Sequence, residues 1–179
     1  MGRGSLWTNL HAEIARIWGQ RTPRDGTGAG GPAPKDALVL VVDDSRTIAV
    51  ALQRMLESDG YPSVPAFDGA QAVDIARRHL PDLILMDIVM PRMNGFEAMR
   101  ALAADPKTRH IPVIMVSGTE NPSDRVWGAK LGARAFLAKP IARGQLLAKV
   151  ATVLALSRRL QDRISAQPSA HAQLDTGPR

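Results

Sequence analysis

Along residues 37–156 the period of the apolar positions changes repeatedly, and those changes outline the elements. Short aliphatic and β-branched runs occur at Leu38–Val42, Ser63–Ala66, Leu83–Met86, Val113–Val116 and Ala135–Ala138. They lack a strict alternation of apolar and polar positions, the pattern of strands covered on both faces; the second is short and weak. Between them lie stretches of helical spacing with readable starts. Ser45 precedes TIAVALQRMLES, Asp68 precedes GAQAVDIARRH, Asn94 precedes GFEAMRALAA, and Pro122 opens a segment running through Leu131. Ser, Asp and Asn side chains accept hydrogen bonds from the free N–H groups of a first helical turn, and proline has no N–H to leave unpaired there. Strands alternating with helices predict an α/β fold, five parallel strands wound on both faces by helices.

A last helix starts near Arg143. Its apolar stripe, Leu146, Val150, Val153, Leu160 and Ile164, runs past Leu156, where a compact domain would close. The stripe covers under three heptads and Ser157 interrupts it, too little for a coiled coil. Packing of this helix on the sheet accounts for most of it, so a monomer is expected, with a dimer through the protruding end as the alternative. Upstream, the Gly- and Pro-rich run from Arg21 to Lys35 has linker composition. Before that, Leu6, Leu10, Ile14, Ile17 and Trp18 fall at the spacing of an amphipathic helix over residues 5–19. The chain is thus expected to divide into an extension at 1–36, one compact domain at 37–156, and a helix extension with a disordered tail at 157–179.

Composition narrows the function classes. A length of 179 residues suits one domain with tails. No stretch approaches the roughly 18 uninterrupted apolar residues of a membrane span, and the first residues lack the pattern of a secretory signal. No membrane insertion and a cytoplasmic location are expected. The absence of cysteine excludes disulfides, thiolate metal sites and cysteine nucleophiles. A net charge of +6 raises the question of nucleic acid. The excess is spread evenly, however: residues 1–36 hold 5 basic and 3 acidic groups, 37–156 hold 14 and 12, and 157–179 hold 4 and 2. Nucleic-acid binders concentrate such charge on one face, so no nucleic-acid partner is expected.

In an open α/β sheet, ligands bind at the carboxyl ends of the strands. The first predicted strand ends at Asp43 and Asp44, the third at Asp87, the fourth at Ser117, and the fifth at Lys139 and Pro140. Three carboxylates crowded on one edge repel one another until a cation neutralises them. Oxygen ligands without His or Cys favour Mg²⁺ or Mn²⁺. Lys139 offers a point charge and Ser117 a hydrogen bond to a phosphoryl oxygen. Together they describe a site where a carboxylate attacks phosphorus to form an acyl phosphate.

These residues resemble the response-regulator receiver family, to which the chemotaxis protein CheY belongs. The resemblance rests on VLVVDDSRT, LILMDIVMPRMNGFEAMRAL, IPVIMVSG and GARAFLAKPI, and covers residues 38–156. It implies a flavodoxin-like strand order 2-1-3-4-5. It implies Asp87 as phosphoacceptor, Asp44 as direct metal ligand, Asp43 acting mainly through metal-bound water, and the Val89 backbone carbonyl as a further ligand. It also implies Ser117 and Phe136 as the switch pair, Lys139 as the phosphoryl-binding lysine, and a cis peptide before Pro140. Such a protein is not an enzyme in the ordinary sense; it accepts a phosphoryl group and assists its own transfer and dephosphorylation. Its donor would be a CheA-like histidine kinase and its output a protein contact on the face of residues 122–156. More narrowly, DIVMPRMNGFEAMRAL, IPVIMVSG and DRVWGAKLGARAFLAKP are similar to PilH-type receivers of twitching motility, with Trp127-Gly128 the most telling feature. Helix packing is the ordinary use of a lone Trp such as Trp127.

Two features depart from the common pattern. Phe136 stands where Tyr is commoner, which leaves burial and no phenolic hydroxyl to drive the switch. Val89 offers an apolar side chain where a polar one could orient water, which predicts slow self-dephosphorylation. Two alternatives share parts of the pattern. A Mg²⁺-dependent phosphatase with an aspartyl nucleophile would need a second Asp at position 89, which is valine. A nucleic-acid-binding regulator would have to use its basic tails.

Overall fold

The structure, a computed structural model, describes residues 36–118 and 121–165. The expected helix at 5–19, the linker at 21–35 and the tail beyond 165 lie outside the described residues. Five strands, β1 (Val39–Val42), β2 (Ser63–Ala66), β3 (Leu83–Asp87), β4 (Val113–Ser117) and β5 (Ala135–Ala138), alternate with five helices. These are α1 (Arg46–Glu57), α2 (Gly69–His79), α3 (Gly95–Ala104), α4 (Pro122–Lys130) and α5 (Arg143–Ser165). All strand pairs are parallel and the order is β2-β1-β3-β4-β5. The chain order therefore reverses beside β1, which sets the crevice at the carboxyl ends of β1 and β3.

The helix starts follow from the side chains that precede them. Asp68 accepts from the Gln71 N–H at 2.8 Å. Asn94 and Glu97 exchange bonds at 2.9 Å in a reciprocal capping box. Asn121 caps α4 by accepting from the Ser123 N–H at 3.0 Å, with Pro122 in the first turn. Ser45 caps α1 more loosely, at 3.5 Å from the Ile48 N–H.

Successive residues of each central strand face opposite sides of the sheet. Leu40, Val42, Ile84, Met86 and Met115 pack with Ala72, Ile75, Ala98 and Leu102 of α2 and α3. Val39, Val41, Leu83, Leu85, Ile114 and Val116 pack with Ala49, Leu52, Leu56, Leu146 and Val150 of α1 and α5. The two-sided burial is what the continuous apolar runs predicted.

Burial on the α4 and α5 side is less complete. Of the stripe along α5, Leu146, Val150 and Val153 are buried, so packing accounts for most of it, while Leu160 and the neighbouring Leu156 are exposed, as expected for an end that protrudes. Trp127 is not a packing residue: it is 57% exposed, and the Lys130 ammonium lies 5.4 Å from its ring centroid. The α4 turn points this residue outward, while Gly128 is the buried position of the helix.

Candidate functional site

The strand register carries the site. Val42 is level with Met86, so Asp43 and Asp87 follow as neighbours on adjacent strands. Asp87 pairs with Val116 and Ser117 with Ala138, which brings Lys139 to the same edge. Backbone bonds extend the ladder past the strand ends: Asp43 N–H to Ala66 at 3.1 Å, Ile88 N–H to Val116 at 3.0 Å, and Lys139 N–H to Ser117 at 2.8 Å. Asp43, Asp44, Asp87, Ser117 and Lys139 are scattered over almost a hundred positions and meet at one crevice, as the sequence predicted. The Lys139-Pro140 peptide is cis, also as expected.

Asp43, Asp44 and Asp87 each offer a carboxylate oxygen within 4.8 Å of the others. Asp43 and Asp87 are buried and Asp44 is exposed at the rim. The Lys139 ammonium lies 2.7 Å from Asp43 Oδ2 and 3.0 Å from Asp87 Oδ1. Asp43 Oδ1 accepts from the Ser45 N–H at 2.9 Å, so each Asp43 oxygen has a protein partner. Burial pushes the Asp87 carboxyl above its usual range; the Lys139 hydrogen bond and charge oppose this, and Asp43 and Asp44 add repulsion. Burial acts to lower the Lys139 pKa, but hydrogen bonds and charge from Asp43 and Asp87 overcome it and hold the ammonium more firmly protonated.

Three carboxylates against one ammonium leave excess negative charge in a partly buried crevice. An oxygen-only donor set of this kind fits a small hard divalent cation, which would approach from the exposed Asp44 side. Ser117 lies at the end of β4, 8% exposed. Val89, two residues past Asp87, turns its side chain outward and is 67% exposed. Phe136 is half-buried and packs against the core layer of α2 and α3. Its ring also faces the Gly128 backbone: a Cβ at 128 would lie 2.4 Å from Phe136 Cζ.

Sequence reasoning missed the glycines that let backbones close around the site. A Cβ at Gly95 would lie 2.1 Å from the Asp87 carbonyl oxygen, so the start of α3 sits against the backbone of the central acid. A signal was present, since glycine is a poor helix former and a better one would ordinarily follow the Asn94 cap. Also missed was the pairing of Arg92 with Asp68, which was read only as a cap.

Some basic residues of the described surface pair with acids. Arg77 pairs with Asp105 at 2.8 Å, Arg78 with Asp74 at 2.9 Å and Arg143 with Asp59 at 3.9 Å. Among the described residues no helix is long and apolar enough to cross a membrane.

Comparison with known proteins agrees with this geometry. Residues 39–151 match the family described as the response regulator receiver domain. The chain is 45% identical over 119 residues to protein PilH of Pseudomonas aeruginosa, covering 66% of this chain and 98% of that one. Among solved structures, the Vibrio cholerae chemotaxis protein CheY4 superposes with a TM-score of 0.63 at 32% identity, over 65% of this chain and 98% of that one. The receiver domain of the sensor histidine kinase PA1611 of Pseudomonas aeruginosa superposes with a TM-score of 0.62 at 31% identity. That match covers 66% of this chain and 97% of the other, whose structure has a magnesium ion coordinated in its active-site cleft. Order, register and site agree with the match over residues 39–151: the chain belongs to the response regulator receiver family, a CheY-like signalling module of two-component systems.

Proposed function

We propose that this chain is phosphorylated on Asp87 by a histidine kinase and signals through protein contact. The observation that carries the reading is the Lys139 ammonium held between Asp43 and Asp87 beside the three-carboxylate cluster. An Asp87 oxygen forms the new P–O bond as the P–N bond to the kinase imidazole breaks. The imidazole nitrogen keeps the electron pair of the broken bond. Asp44, Asp87 and the Val89 carbonyl would hold Mg²⁺, with Asp43 acting through its bound water; Mn²⁺ would be an equivalent ion. When bound, the ion supplies charge neutralisation for the phosphoryl oxygens.

The chain's own groups do the rest. Once Asp87 carries the phosphoryl group as an acyl phosphate, Lys139 keeps its contact with Asp43 and turns its remaining donors to a phosphoryl oxygen. The Ser117 hydroxyl donates to another. Phe136 follows into the space that Ser117 leaves, and α4 and β5 shift with it. This is a population shift driven by a dianionic group. The face of residues 122–156 then meets the output partner. The receiver occupies 37–156, with residues 1–36 and 157–179 as extensions. Similarity to PilH supports a CheA-like kinase, a role in twitching motility and a cytoplasmic site of action. The apolar Val89 side chain supports slow self-dephosphorylation, and Val89→Asn would change the lifetime of the phospho-form. A phosphatase activity has no support, since no acid stands at position 89.

The test is incubation with acetyl phosphate and Mg²⁺ followed by intact mass. Wild type gains one phosphoryl group and Asp87→Asn gains none. Equal masses before and after, with the fold intact, would reject phosphorylation and leave an unphosphorylated scaffold.

A further inference from the structure

The loop between β3 and α3 carries Val89 and leads directly from Asp87, so its conformation sets where two of the proposed ligands sit. It contains a strained residue. Arg92 has φ of 68°, and the Met93 N–H bonds to the Pro91 carbonyl at 2.9 Å across it. A bond from residue i+2 to residue i with a positive central φ is the geometry of a γ-turn that is rare and strained for a residue with a Cβ. Such a conformation persists only when its surroundings hold it.

One flank is held by backbone. The Gly95 N–H bonds to the Ile88 carbonyl at 3.0 Å, and Gly95 lies against Asp87. The other flank is held from the start of α2. The Arg92 guanidinium lies 2.5 Å from Asp68 Oδ2, with side-chain exposures of 70% and 6%. Asp68 Oδ1 is already occupied by the Gln71 N–H. The second oxygen of this buried carboxylate takes the charged guanidinium of Arg92 as its partner. Beside this pair the Gly69 N–H bonds to the Met93 carbonyl at 3.2 Å, and a Cβ at 69 would lie 2.6 Å from that oxygen.

We infer that Asp68 and Arg92 form a latch that holds the β3–α3 loop in its strained turn, and through it fixes the Val89 carbonyl relative to Asp87. Both are positioning residues. Asp68 is more than the cap of α2: it joins that helix to the metal and phosphoryl site. The latch's effect on chemistry rests on the phosphoryl-site reading of Asp87, whereas its effect on the loop does not.

The test uses the full chain with three substitutions. Asp68→Asn keeps an acceptor for the Gln71 N–H and removes the charge. Arg92→Gln removes the partner cation, and Arg92→Lys restores one. Amide hydrogen exchange without metal or phosphodonor reads the loop directly. The Gly69, Met93 and Gly95 amides should exchange about tenfold faster in Asp68→Asn and Arg92→Gln, with β1 unchanged and Arg92→Lys close to wild type. The Mg²⁺ concentration for half-maximal phosphorylation by acetyl phosphate should rise about tenfold in the same two variants, the lower range for groups that orient a metal's ligands. In the double variant it should rise no further than in either single one. Unchanged exchange at those three amides would overturn the latch. Faster exchange with Mg²⁺ dependence within about twofold of wild type would overturn its positioning role. If wild type takes no phosphoryl group, the site reading fails and the exchange result still decides the latch.

Discussion

The two sides of the sheet's carboxyl edge are built to different standards. On the β1–β3 side every strand residue is buried, and Asp43 and Asp87 are locked by Lys139 and by backbone bonds. On the α4–β5 side, Gly128 is the buried residue of α4, and Leu137 is the buried residue of β5. Val126 and Trp127 project into solvent at 54% and 57% exposure. Between the sides stands Phe136, half-buried and facing Gly128. Few buried apolar contacts mean low local stability, so the thinly packed side can shift while the chemical side stays fixed. Chemistry needs positions held closely, and a response needs a second arrangement of similar energy.

The largest expected effect is on the chemical side. Lys139→Ala removes the cation shared by Asp43 and Asp87, and acetyl-phosphate-dependent labelling of Asp87 should slow by about 10²–10³-fold, as for loss of one charge-stabilising donor. The fold should remain by circular dichroism. A rate within a few-fold of wild type would show that the lysine pair is only structural.

Next comes stability. Leu85→Ala opens a cavity in the α1–α5 layer of the core and should cost about 2–5 kcal/mol in urea unfolding. Val126→Ala, on the other side, should stay within about 0.5 kcal/mol. Similar costs would erase the proposed contrast in packing.

A smaller effect is expected at the boundary. Gly128→Ala places a methyl group against the Phe136 ring, and overpacking of this kind costs about 1–3 kcal/mol. Phe136→Ala in the same background should remove most of that increment. Additive costs would mean that the ring and the helix are not coupled.

The smallest effect is the pH dependence of Asp87. Its folded pKa is raised from 3.8, chiefly by burial, so folding favours the protonated carboxyl. That contribution is fully present below the unfolded value and is lost as pH rises through the folded one. Asp87→Asn carries no charge, so in metal-free buffer its Tm should gain on wild type as pH rises from about 3 to 7. A constant difference over that range would contradict the burial of the ionised carboxylate.

Much of the fixed side was legible in the sequence. Parallel strands covered on both faces leave continuous apolar runs, and acids at their carboxyl ends fall on one edge by topology alone. Asp43, Asp44, Asp87, Ser117 and Lys139 could therefore be placed together before any coordinates. The responsive side was less legible. Packing is the ordinary use of a lone Trp, but periodicity does not tell which face of a nine-residue helix meets the core, and Trp127 is exposed. The α5 stripe was clearer: it was expected to run past the compact domain, and Leu156 and Leu160 are exposed. Arg92 and Asp68 are 24 residues apart and meet only because the β3–α3 loop folds onto α2, which no local pattern encodes.

The most direct test of the account compares amide hydrogen exchange in the chain with and without acetyl phosphate and Mg²⁺, with Asp87→Asn as control. Phosphorylation should change exchange in residues 122–138 and leave Val39–Val42 and Leu83–Met86 as they were, with no change in Asp87→Asn. Confirmed phosphorylation of Asp87 with equal changes on both sides, or none on either, would contradict the division between a fixed chemical edge and a responsive α4–β5 side.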